Sequence, residues 1–289
     1  MSPPLTVADI LDRSISIYRN NFKILCTVNI VGYIPYILFT ILYLAFLYFG
    51  YDRELLWIFI AITCLVILPL WFIMFNISQA LTISIISDII FNRHISIYGT
   101  LTELLKNKKL FKFILTMFLY GFIIFLLFLP AGLICFAFIL IKNSTIKVLF
   151  IAISVFFCLI SMSLLTVIVF LYNFIPPAVI LENHAFFQSF RRSAILVAKD
   201  PLKAIAVPFF SGLLVQVIQG AFSVPFAFLS IYMAYSHPLI QFLIQLVPQI
   251  LAIILVPLIF TCNTLVYYNI RFRKEGYDLE LMADKTFKH

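Results

Sequence analysis

The amino-acid sequence predicts an all-α membrane protein, and three observations lead to that class. Hydrophobic residues make up 64% of the 289-residue chain and charged residues only 11%, whereas soluble domains are about 45–50% apolar and about 25% charged. Six apolar runs follow one another, each longer than the roughly 20 residues that cross a bilayer as a helix. An amphipathic segment precedes the first, the third and the fifth run. Together these features predict six transmembrane helices in three repeated hairpins, each preceded by a cytoplasmic amphipathic helix.

The first amphipathic segment, Leu5–Arg19, is predicted to be a surface helix and not a cleavable signal. Its residues include acids as well as bases, and no early apolar core is present. Thr6 and Asp9 have the spacing of a capping box. The apolar residues that follow at helical spacing are typical of a helix lying on a membrane surface.

The six apolar runs are predicted to be the spans, joined on one side by short connections. Several contain proline, which removes an amide donor, so we expect kinks within them. The predicted spans are Ile24–Gly50, Leu55–Ser87, Leu110–Ile141, Val148–Leu181, Leu202–Ser236 and Leu239–Ile270.

An internal repeat divides a single membrane domain, residues 1–289, into units of about 5–92, 98–181 and 185–270, with a short tail over 271–289. Each unit enters its first span through a base, an apolar residue three positions later and then a lysine. These approach segments are Arg19–Lys23, Lys108–Lys112 and Lys199–Lys203. Three parallel copies favour threefold pseudosymmetry, unlike the paired inverted halves of many transporters.

The second and third units also begin with amphipathic stretches. In the second, Thr100–Lys108, the pair Thr100 and Glu103 has capping-box spacing. In the third, Ala185–Lys199, one apolar stripe is predicted to lie in the membrane interface with the basic residues Arg191 and Arg192 beside it. The stripe is formed by Phe187, Phe190, Ala194 and Val197.

The basic residues predict the orientation. Of the 20 Lys and Arg residues, Arg53, Lys142 and Lys147 fall in the short connections, which leaves 17 on the side of both termini. Cytoplasmic loops are enriched in Lys and Arg, so both termini are predicted to be cytoplasmic. The net charge of +8 therefore indicates topology and contact with anionic lipid headgroups, and no nucleic-acid partner is expected.

Four stretches are similar to a known family: Ile10–Phe22, Pro176–Glu182, Ser189–Ser193 and Tyr267–Glu280. Over essentially its whole length the chain resembles the bacterial glycerophosphoryl diester phosphodiesterase membrane-domain family. The resemblance implies a six-span module in a bacterial cytoplasmic membrane. In the namesake enzymes a separate soluble domain carries out the phosphodiester chemistry, and this chain has no room for one, so no activity is implied.

Charged residues near the cytoplasmic ends of the second and fourth spans form one candidate site. An acid there is followed by bases in the next segment, which predicts either a salt bridge that clamps a surface helix to its hairpin or a site for a substrate or lipid headgroup. The residues are Asp88, Arg93, Glu182, Arg191 and Arg192.

Amides within the spans form a second candidate site. Such groups seek partners in lipid, so they predict either hydrogen bonds between helices or a polar cavity. The candidate cavity residues are Asn76, Gln79, Asn173, Gln216, Gln219, Gln245 and Asn263.

The sequence favours a protein that is not an enzyme. The four histidines are scattered, the five cysteines are widely spaced, and no nucleophile, phosphate-loop or metal-ligand motif is present; we expect no cofactor or metal. Two function classes follow. One is a non-catalytic multi-pass protein that assists or scaffolds other membrane components and contacts anionic lipid. The other is a transporter or permease for a lipid or small amphipathic molecule.

Overall fold

The structure is a computed structural model that describes residues 5–49, 53–140, 144–232 and 238–276. The described chain is helical, which confirms the all-α class. Its helices are α1 (Val7–Asn20), α2 (Phe22–Phe49), α3 (Arg53–Ile62), α4 (Leu68–Ile90), α5 (Ile97–Lys106), α6 (Lys109–Leu140), α7 (Ser144–Tyr172), α8 (Ile175–Glu182), α9 (Phe187–Lys199), α10 (Pro201–Tyr232) and α11 (Pro238–Glu275), with a π-helical segment, Thr63–Ile67, between α3 and α4.

Several helices have the length and composition of membrane spans. Among the described residues, five segments are long and apolar enough to cross a bilayer: Phe22–Tyr43, Leu56–Ile90, Lys109–Pro130, Pro201–Ile231 and Leu246–Glu275. A shorter apolar segment, Ile153–Val169, lies in α7. Many of their large apolar side chains are exposed, as expected of a surface that lipid covers. This is the architecture of a multi-pass membrane protein, and the count of six spans stays a prediction.

The fourth predicted span, Val148–Leu181, is not one continuous helix. Helix α7 ends at Tyr172 and α8 starts at Ile175. Pro176 and Pro177 account for the break, because both fall in the first turn of α8, where a missing amide donor costs little. Within a continued α7 each proline would remove a backbone hydrogen bond.

The long helices contact each other in sequential pairs, with α2 on α4, α6 on α7, and α10 on α11. Helices α4 and α11 lie at the centre, since α4 also contacts α6 and α8, and α11 also contacts α1, α2 and α4. Leu25, Phe113 and Ile180 belong to one buried cluster on the α4 side, and Phe174 and Tyr267 to another on the α11 side.

The short helices α1, α5 and α9 lie at one end of the bundle, where α4 and α11 finish and α2, α6 and α10 begin. The capping box of α1 is confirmed: the Thr6 amide donates to the Asp9 carboxylate at 2.7 Å, and the Asp9 amide donates to Thr6 Oγ1 at 3.2 Å. The bond from the Thr6 amide lowers the pKa of Asp9.

The second predicted capping box, at Thr100, is wrong. Ser96 caps α5, since its Oγ accepts a hydrogen bond from the Gly99 amide at 3.2 Å. Thr100 therefore lies inside the helix and is buried. Ser96 and Thr100 are both of a type that caps helices, and the helix starts directly after the earlier of the two, Ser96.

Candidate functional site

A cluster of paired charges joins three helices at the end of the bundle that carries α1, α5 and α9. Glu182 ends α8, Arg192 and Lys199 lie on α9, and Arg271 and Glu275 lie in the last turns of α11. We call these five residues the charged clamp. Glu182 and Arg192 were predicted as candidates from the sequence, and the structure pairs them.

Arg192 is the centre of the charged clamp. Its Nε lies 2.6 Å from Glu182 Oε2, and its Nη1 donates to Glu275 Oε1 at 2.6 Å. Its Nη2 donates to both acids, to Glu182 Oε1 at 2.9 Å and to Glu275 Oε2 at 2.5 Å. One guanidinium therefore holds two carboxylates through two-pronged hydrogen bonds, a geometry that only arginine provides.

Arg192 carries one positive charge against two carboxylates, and the other basic residues of the charged clamp balance the second negative charge. Lys199 Nζ lies 2.7 Å from Glu275 Oε1, and Arg271 Nε lies 3.0 Å from Glu182 Oε1. The Tyr267 hydroxyl also donates to Glu182. Three Lys and Arg side chains thus face two acids, and the side chains of Glu182 and Arg271 are only 10% and 11% exposed. Both acids therefore find basic partners within the protein, in salt bridges that join α9 to α8 and α11.

The environment of Arg192 keeps it charged. The hydrogen bond to Glu275 is the main reason that its pKa is raised above the ordinary value, with Glu182 acting in the same direction and burial opposing both. A raised pKa in the folded state gives stabilisation that is fully present below the unfolded pKa and is lost only as pH rises through the folded value. Arginine titrates above about pH 12, so the charge of Arg192 and its contribution to stability do not change around neutral pH.

The other charged candidates are placed differently. Arg191 is exposed on α9 and is not part of the charged clamp. Asp88 and Arg93 are 4.0 Å apart, and the Arg93 side chain is 62% exposed; such a pair contributes little to stability. Of the five candidates, Glu182 and Arg192 therefore form a close salt bridge between α8 and α9, and Asp88 and Arg93 form only this longer one.

Sequence reasoning missed the contribution of α11 to the clamp. Tyr267, Arg271 and Glu275 are spaced four residues apart, so they lie on one face of a helix. This spacing was visible in the sequence, within the closing stretch Tyr267–Glu280. It indicates a polar face at the end of a span but does not say which helix that face meets.

Amides from three parts of the chain converge deeper in the bundle. Gln79 of α4, Asn173 in the turn after α7, and Asn263 of α11 line a cavity of about 90 Å³, together with Tyr172 and Thr264. We call this the amide cavity. Asn263 precedes Arg271 by eight residues in the same helix, which places the cavity about 12 Å below the charged clamp.

The amides are partly bonded to one another. Asn263 Nδ2 donates to Asn173 Oδ1 at 3.3 Å, and Gln79 Nε2 donates to the Tyr172 hydroxyl at 3.3 Å. Asn263 Oδ1 is buried and has no hydrogen-bond partner among the described residues. The two sequence-based alternatives, interhelical bonding and a polar cavity, are thus both present at the same place.

Three other predicted cavity residues, Asn76, Gln216 and Gln219, do not line the amide cavity. Asn76 lies in a neighbouring groove of about 220 Å³ and donates to Phe72 O of its own helix at 2.7 Å. Gln216 is exposed on α10, and Gln219 accepts a hydrogen bond from Ser223 through its backbone. The side chain of Gln245 lies outside the described part of the structure, as do residues 141–143.

No protein-family model, curated protein or solved structure matches the chain. The resemblance of the four stretches to the membrane-domain family stays a prediction, and function is argued from the geometry of the site.

Proposed function

We propose that the protein is a non-catalytic multi-pass membrane protein that contacts anionic lipid through its clamp-bearing end and assists or scaffolds other membrane components. The observation that carries the lipid contact is the exposure of one apolar residue in each approach segment. Phe22 is 41% exposed, Phe111 is 69% exposed and Leu202 is 72% exposed. Each is followed directly by a lysine.

This combination fits the boundary between acyl chains and headgroups. An exposed apolar side chain at the start of a span can enter the hydrocarbon. Lys112 and Lys203 have partners within the protein, so the exposed bases Arg19, Lys108 and Arg191 are the ones that meet the lipid phosphate. On α9, Phe187 is 71% exposed beside the exposed Arg191, so this end of the apolar stripe is turned outward, whereas Phe190 and Val197 pack against the buried clusters. The buried face of α9 is instead formed by Ser189, Ser193 and Leu196.

Removing one exposed base per unit is expected to abolish most of the preference for anionic lipid. The triple variant Arg19→Gln, Lys108→Gln, Arg191→Gln deletes three charges outside the charged clamp, and each base near an anionic surface contributes about 1 kcal/mol. Native mass spectrometry after release from vesicles of equal phosphatidylglycerol and phosphatidylcholine measures the lipids retained. The charge-conserving triple Arg19→Lys, Lys108→Arg, Arg191→Lys should behave as wild type. An unchanged phosphatidylglycerol preference in the Gln variant would reject the proposal.

The proposed topology has six spans with both termini in the cytoplasm, on the bias of the basic residues. A reporter fused after Lys288 is expected to show a cytoplasmic location, and one inserted within 142–147 an external location. An alkaline phosphatase and green fluorescent protein pair reads out both. A reversed signal at either site would contradict the proposed orientation and the three-hairpin arrangement with it.

A transporter or permease for a lipid or small amphipathic molecule is the second candidate, and the amide cavity favours it. Dithionite bleaching of fluorescently labelled phosphatidylglycerol in proteoliposomes distinguishes this transport function from the non-catalytic one. Bleaching beyond the share of the outer leaflet would support movement of lipid across the membrane, and bleaching limited to that leaflet would favour the non-catalytic role.

A further inference from the structure

We propose that the amide cavity binds a small uncharged molecule that carries both a hydrogen-bond donor and an acceptor, of the amide or alcohol class. This goes beyond the lipid contact proposed above and does not depend on it, because the cavity lies within the bundle, away from the exposed bases. The polar side chains that line it come from α4, the α7–α8 turn and α11.

The lining selects against charge. The described polar lining consists of the three carboxamides of Gln79, Asn173 and Asn263, the phenol of Tyr172 and the hydroxyl of Thr264. A carboxamide both donates and accepts, so the site can pair with either half of an amide or with an alcohol. An ion entering without a counter-charge would lose its hydration and gain none of the compensation that a paired charge receives.

The hydrogen bonding leaves capacity for a ligand. Asn263 is 8% exposed, and its Oδ1 has no partner within the described chain while its Nδ2 is used. Gln79 and Tyr172 exchange bonds of 3.3 and 3.4 Å, both longer than ordinary hydrogen bonds of these types. A buried carbonyl without a donor destabilises a fold, so a donor supplied next to Asn263 would be stabilising.

The size of the cavity limits the ligand. A volume of about 90 Å³ is enough for a few waters or for one small molecule. Tyr172 also lines the neighbouring groove of about 220 Å³, whose other walls include Trp71, Phe75 and Tyr120. Trp71 is 38% exposed, so this groove opens to the outer surface of the bundle, and Tyr172 lines both the groove and the cavity.

Three small probes that differ in charge test the proposal: propanamide, propionate and propylammonium. The purified full-length protein in detergent is heated with increasing concentrations of each. Propanamide is expected to raise the unfolding midpoint saturably, on the order of 2 °C, and the two ions are expected to have no saturable effect. Equal effects of all three probes, or no saturable effect of propanamide, would overturn the proposal; in the latter case the cavity holds water only.

Two variants block the cavity in different ways, so a folding defect in one does not decide the test. Ile259→Phe fills the space from the apolar wall, and Gln79→Leu removes a polar partner. Gln216→Leu is the same chemical change at an exposed site on α10. The propanamide effect should be lost in the first two variants and kept in the third. A propanamide effect that persists in both blocked variants would place binding elsewhere and overturn the assignment.

Discussion

Replacing Arg192 with methionine is expected to destabilise the folded protein by about 3 kcal/mol. The change leaves Glu182 and Glu275 facing each other without the guanidinium that holds both, at side-chain exposures of 10% and 17%. Lys199 and Arg271 still contact the acids, and Arg192 itself is 18% exposed, so water screens part of the loss. The expectation therefore lies at the low end of the range for breaking a buried ion pair. Chemical unfolding in mixed micelles measures it.

The neighbouring residue supplies the matched control. Arg191→Met removes the same charge from an exposed position on α9 and should change stability by no more than about 0.5 kcal/mol. Arg192→Lys should lie between the two, because an ammonium keeps the charge but cannot bond two carboxylates with a planar fork. Equal unfolding curves for Arg192→Met and Arg191→Met would show that the charged clamp contributes nothing.

Local features of the fold were predictable because their causes lie within a few residues. The Thr6 and Asp9 capping box needs only a spacing of three, and it forms as expected. The position of the clamp acid was also predicted, since an acid at the end of an apolar run needs a basic partner nearby. The partners on α11 were not, because contacts between Arg192 and Glu275 span 83 residues of sequence and depend on how the helices meet.

The apolar periodicity of α9 does not identify the face that packs inside. In a water-soluble protein an apolar stripe turns toward the core. In a membrane protein the surrounding lipid is as apolar as the core, so an apolar stripe can face either one. Small side chains then pack between helices. Ser189 and Ser193 are fully buried while Phe187 is exposed, and Ser193 Oγ donates to Leu171 O.

The amide cavity also depends on helix packing that the sequence does not specify. Gln79, Asn173 and Asn263 converge, and Gln216 does not, although all four are amides in apolar runs. Asn173 reaches the cavity because α7 stops one residue earlier, at Tyr172. The prolines that cause this break were visible in the sequence, but the direction in which the chain turns there was not.

Enlarging Gly32 of α2 is expected to destabilise the protein by about 3 kcal/mol when the new residue is leucine. A Cβ at this position would lie 2.9 Å from Ser78 Cβ and 3.3 Å from Phe75 Cα, so α2 and α4 pack almost backbone to backbone, as small residues allow in membrane helices. Separating them would also break the bond from Ser78 Oγ to Asn29 Oδ1 at 3.3 Å. Asn29 in turn donates to Ile253 O of α11 at 2.7 Å, so the strain would reach the centre of the bundle.

Gly212 of α10 separates steric strain from the effect of leucine itself. A Cβ there meets nothing within 4 Å, and leucine favours a helix over glycine by roughly 0.5–1 kcal/mol. Gly212→Leu is therefore expected to leave stability unchanged or slightly higher, while Gly32→Leu lowers it and Gly32→Ala falls between. Unfolding in mixed micelles, with helix content followed by circular dichroism, compares the three variants. If both leucine variants shift stability in the same direction by the same amount, the close approach of α2 and α4 is not what makes glycine necessary at position 32.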